Sequence, residues 1–129
     1  MKLENLQQIL LEWQRTLKLL DWDISVKVVP HREMPDAIGH VRWDLDEKSA
    51  DIRLIMPEDY QSSALRPYNI EETLVHELLH LHLVTFDMSD EPKRLALEQA
   101  INAIARALFN LKNANLQTQG DTPNPSSTA

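Results

Sequence analysis

The sequence predicts an α+β domain: one helix, then three strands in a small, mostly antiparallel sheet, then two more helices packed against it. Three observations carry this expectation. Apolar residues recur at helical spacing near the N-terminus and again from about residue 70 onward, and a two-residue alternation fills the stretch between them. A hydrophobic share of 43% over 129 residues suits one core rather than two.

Taken in order, Leu3, Leu6, Ile9, Leu10, Trp13, Leu17 and Leu20 share one helix face, so an amphipathic helix is expected over residues 3–20. Trp22, Ile24, Val26 and Val28 alternate with polar residues up to Pro30, the pattern of a half-buried strand. A polar loop over 30–38 leads to strands over Gly39 to Leu45 and Ala50 to Met56. Asp46-Glu47-Lys48-Ser49 joins them as a hairpin. Between Pro57 and Pro67 no period is evident. Asn69 followed by Glu72 has the form of a capping box, starting a helix that should reach about Phe86. Ser89 or Asp90, then Glu91-Pro92, starts another, which apolar residues at 97, 101, 104, 108 and 111 carry to about Lys112. Residues 1–112 thus form one domain. Residues 113–129, polar and without aromatics, read as a disordered tail.

Composition narrows the function. A formal charge of −7 argues against nucleic acid and against an anionic membrane surface as partners. Absence of cysteine removes disulfides and thiolate metal sites, so any metal must be held by histidine and carboxylate. Charged residues interrupt the N-terminal stretch at regular intervals, so neither a signal peptide nor a membrane span is expected, and the protein is expected to be cytoplasmic.

The chemistry concentrates in Leu74-Val75-His76-Glu77-Leu78-Leu79-His80-Leu81-His82-Leu83-Val84. His76 and His80 lie one turn apart on one helix face, where two imidazoles can reach a single cation. Glu77, one position round, can take a proton from a water activated by that cation. The helix is apolar on nearly every side, so it should be buried. Unpaired polar groups there cost about 2–7 kcal/mol each, and a metal would satisfy them together. His82 points off the His76/His80 face and is expected to pack or to cap.

A catalytic site of this kind needs a third protein ligand. No histidine follows His82, and Leu83 and Phe86 stand where a compact glycine-then-histidine continuation would be needed. Asp87, Asp90, Glu91 and Glu98 remain. The first helix climbs about 9 Å from His80 to its expected end, and an antiparallel return from Pro92 brings Glu98 back by the same distance. Glu98 is thus level with the histidines, and the alanines at 96, 100, 103, 105 and 107 should let the two helices approach. Asn102, one turn beyond Glu98, can orient a ligand by hydrogen bonding, or can be a plain surface residue.

The run Glu72-Thr73-Leu74-Val75-His76-Glu77-Leu78-Leu79-His80 with Glu98-Gln99-Ala100-Ile101-Asn102 resembles the gluzincin metallopeptidases. The short chain and its element order look especially like the minigluzincins and related small zincin-like proteins of bacteria, archaea and prophages. That resemblance implies one zinc ion held by His76, His80 and Glu98, with Glu77 as general base and proton shuttle, and peptide or protein as substrate. It also implies that the third strand is the sheet edge above the cleft, with Ile52, Arg53 and Leu54 aligning an extended substrate. Tyr60, Tyr68, His31 and His40 are the available groups for stabilising an oxyanion. Relatives of this kind can be latent under a C-terminal segment. The chain is expected to be a monomer or a weak homo-oligomer. A zinc-binding module that holds a peptide without cutting it, and a metal-free helical interaction domain, are the rival expectations.

Overall fold

A computed structural model of the protein describes residues 5–60, 68–85 and 89–120, without the side chains of 117–120. The architecture is α+β: helix α1 (Leu6–Thr16), strands β1 (Asp23–Val29), β2 (Gly39–Asp44) and β3 (Ser49–Ile55), and helices α2 (Ile70–His82) and α3 (Glu91–Gly120). Among the described residues no helix is long and apolar enough to cross a membrane.

The three strands form a mixed sheet in the order β1-β3-β2. The β2–β3 hairpin is antiparallel as expected, with Asp44 opposite Ser49 and Lys48 left-handed at φ 50° in the turn. Returning from that turn, β3 slots between its partner and β1, and so runs parallel to β1 with Val26 beside Ile52. The expectation that β3 is a sheet edge is therefore overturned. The edge on the hairpin side is β2. Ile38 O accepts from Ile55 N–H at 3.0 Å, so the even-numbered residues of β2 bond to β3. Gly39, Val41 and Trp43 then turn their N–H and C=O groups outward along an open edge.

One face of the sheet carries the core. Val26, Val41, Ile52 and Leu54 meet Leu74, Val75, Leu78 and Leu81 of α2, with Leu6, Leu10 and Trp13 of α1 closing one side. Helix α2 is central, as its all-round apolar surface foretold, and Asn69 caps it by accepting from Glu72 N–H at 2.9 Å. It ends at His82, before the expected Phe86, which lies outside the described residues.

Helix α1 stops at Thr16 rather than continuing to residue 20; its expected start at Leu3 lies outside the described residues. Lys18 adopts φ 62°, Leu19 N–H reaches back to Gln14 O at 2.7 Å and Lys18 N–H to Arg15 O at 3.3 Å. This left-handed cap turns Leu19 into the core, where it is 2% exposed. The buried Gln14 side chain then fixes the exit by donating to Leu19 O and Trp22 O.

Helix α3 differs in the other direction. It begins beside Asp90, whose carboxylate accepts from Lys93 N–H, and runs on past Lys112 to Gly120. No glycine or proline interrupts 113–119, so nothing breaks the hydrogen-bond ladder before Gly120. The residues expected as tail over 113–120 are thus helical, and 121–129 lie outside the described residues. Of the alanines expected to face α2, Ala105 is buried and Ala96, Ala100, Ala103 and Ala107 are exposed. Ala105 joins the core cluster with Leu74 and Leu78, and Glu98 and Arg106 reach α2 as well.

Candidate metal centre

Helix α2 presents His76 and His80 one turn apart on its α3-facing side, and their Nε2 atoms approach to 3.3 Å. From α3, the Glu98 carboxylate divides between them, with Oε2 3.2 Å from His76 Nε2 and Oε1 2.8 Å from His80 Nε2. Ligand atoms of the three residues all lie within 4.8 Å of one another. The antiparallel return that placed Glu98 level with the histidines is what the structure shows. Two neutral imidazoles and a carboxylate converging in this way can hold one metal ion.

The electrostatics point the same way. Burial, opposed in part by the Glu98 charge, holds the His80 imidazole below its ordinary pKa and so favours the neutral, ligating form. Glu77 is 7% exposed, and burial, reinforced by the Glu98 charge, pushes its carboxyl up to about 8. Two acids and two imidazoles thus meet in one place with no lysine or arginine bonded to them among the described residues. The cluster is short of positive charge, as a cation site should be.

Above it runs a cleft between β2 and α3. Gly39, His76, Glu77 and Glu98 line both of its halves, cavities of about 330 and 340 Å³. One half continues past Ile38, Tyr68, Thr73, Asn102 and Arg106; the other past Val41, Trp43, Leu83, Leu97 and Arg94. Gly39 permits a close approach here. A Cβ at that position would stand 2.7 Å from Thr73 Cγ2 and 2.8 Å from Glu77 Oε2, so any side chain displaces the buried carboxylate. This brings the open edge of β2 against Glu77.

The other expected site residues fare unevenly. Asn102 lines the cleft one turn beyond Glu98 but, among the described residues, hydrogen-bonds none of the three ligands. Ile52 and Leu54 are wholly buried in the core, and Arg53 lies on the opposite sheet face beside Asp51 at 3.5 Å. They cannot align a substrate, because β3 has a strand on each side and its backbone groups are taken. Of the four candidate oxyanion groups, His40 and Tyr68 line the cleft. The Tyr68 hydroxyl donates to Ile55 O at 2.8 Å, and burial pushes its ionisation up. His31 and Tyr60 stand in the adjoining loops, with the Tyr60 ring 5.2 Å from that of Tyr68. His82 caps, as expected: its Nε2 donates to Leu17 O, a carbonyl at the end of α1, at 2.6 Å.

Gly39, Thr73, Trp43, Arg94 and Arg106 are the cleft residues that the sequence did not single out. Gly39 carried a usable signal, being one of two glycines in the chain and placed at a strand start, where glycine marks a close backbone approach. No family model matches the chain, and no curated protein or solved structure does so either.

Proposed function

We propose that the protein is a zinc-dependent peptidase. The observation that carries this reading is the convergence of His76, His80 and Glu98 beside a buried Glu77, directly beneath an open strand edge. His76 and His80 would hold the ion through Nε2 and Glu98 through its carboxylate. A zinc ion in that position supplies a Lewis acid for a scissile carbonyl and for the attacking water.

The remaining work falls to the chain. An extended peptide pairs with the outward N–H and C=O groups of Gly39, Val41 and Trp43, which sets it across the histidines. Glu77 takes a proton from the attacking water and returns it to the leaving amine. Burial, with the Glu98 charge behind it, favours the protonated Glu77; positive charge among the ligands would oppose both and favour the basic form this step needs.

The test begins with metal analysis of the purified protein, where one zinc per chain is expected. Peptide hydrolysis by Glu77→Gln should then fall by about 10²–10⁴ with zinc retained. Hydrolysis unchanged in that variant removes the assigned base. Bound zinc with no cleavage of any peptide by the unaltered protein would leave a peptide-holding metal module, and absence of any bound metal would leave a helical interaction domain.

A further inference from the structure

The two arginines of the cleft differ. Arg94, Glu98, Asn102 and Arg106 recur every four residues along one face of α3, so the wall opposite β2 carries a guanidinium at each end. Arg106 is occupied, its Nε donating to Glu72 Oε1 at 3.3 Å. Among the described residues no acid pairs with Arg94, although acids outnumber bases by 20 to 13 in this chain. Around Arg94 the cleft is apolar: Trp43, itself 46% exposed, with Leu83, Val84 and Leu97. An unpaired guanidinium beside an apolar trough can take a carboxylate next to an apolar side chain.

The linings also give direction. The start of β2 lies with Asn102 and Arg106 and its end with Arg94, so β2 and α3 run antiparallel. A peptide added antiparallel to β2, the more stable ladder, has its N-terminal part beside Arg94. Arg94 is one turn, about 6 Å, from Glu98 along α3. A strand advances about 3.4 Å per residue, so this is about two residues from the bond held at the histidines.

Resting on the peptidase reading, we infer that the preferred substrates are acidic peptide segments, with Asp or Glu two positions before the cleaved bond and an apolar residue between, Arg94 binding the carboxylate.

The experiment compares zinc-loaded protein with Arg94→Glu on matched peptides carrying Glu or Lys at that position, with cleavage sites mapped by mass spectrometry. The unaltered protein should favour Glu over Lys by about tenfold in kcat/KM, the discrimination one charge-assisted hydrogen bond supplies. Arg94→Glu, with equal zinc content, should reverse the order. An unchanged ratio overturns the inference, as does an acidic preference on the C-terminal side of the bond. Should the unaltered protein cut nothing, the peptidase reading fails, and carboxylate binding by Arg94 is tested alone by fluorescence anisotropy. The labelled Glu-Leu peptide should then bind about tenfold more tightly than its Lys-Leu counterpart, and equal affinities in both proteins overturn it.

Discussion

Two of the polar joints between α3 and α2 solve the same problem differently. At the N-terminal end of α2, Glu71 accepts from Lys112 Nζ at 2.6 Å and from Trp13 Nε1 at 2.7 Å, while Lys112 also lies 5.3 Å from the Trp13 ring centre. Lys112 supplies a cation there, shared with Glu12 at 3.9 Å. One turn and more along α2, Glu98 sits between two imidazoles, with the buried Glu77 adding a second acid. Each joint is a carboxylate held by two partners, yet only the first contains its own cation. The difference separates a self-sufficient lock from a socket.

The contrast can be broken most forcefully at the socket. Glu98→Ala should weaken zinc binding by more than about a hundredfold, since loss of a group that merely orients a ligand already costs 10–100-fold. Titration calorimetry on metal-free protein measures this, and near-normal affinity would mean that α3 supplies no ligand. At the lock, Lys112→Met should cost about 2 kcal/mol in denaturant unfolding, because it leaves Glu71, at 13% side-chain exposure, without its cation. Zinc affinity should be nearly untouched, and a large fall in it would merge the two joints into one. The smallest effect is expected at the third histidine of α2. His82→Ala should cost about 1 kcal/mol through loss of its bond to Leu17 O and leave metal binding as it was.

What could be read from the sequence follows the same division. Ligand geometry on helices is periodic, so His76 and His80 on one face and Glu98 level with them follow from rise per residue alone. The hairpin and the Asn69 cap are likewise local. Strand order is not: Asp51 and Arg53 alternate with Ile52 and Leu54 as they would at an edge, because the central place of β3 is recorded in backbone hydrogen bonds that leave no mark on side-chain pattern. The strand that lines the cleft as a sheet edge is therefore β2, one strand earlier than the side-chain pattern suggests. Helix ends are obscured for a related reason. Leu17, Leu19 and Leu20 continue a helical pattern through a left-handed Lys18, and the amides of 113–119 look like tail although nothing in them stops a helix.

The placement of Glu98 on a different helix from the histidines has one more consequence. This chain has no cysteine, so no disulfide ties its segments together. An ion gripped by both helices would act as a removable rivet between His80 and Glu98, held by the folded chain and released on unfolding. Its contribution grows with dose, about 2.7 kcal/mol at a hundredfold excess over the dissociation constant. How long the folded chain persists would then depend on the metal supply around it.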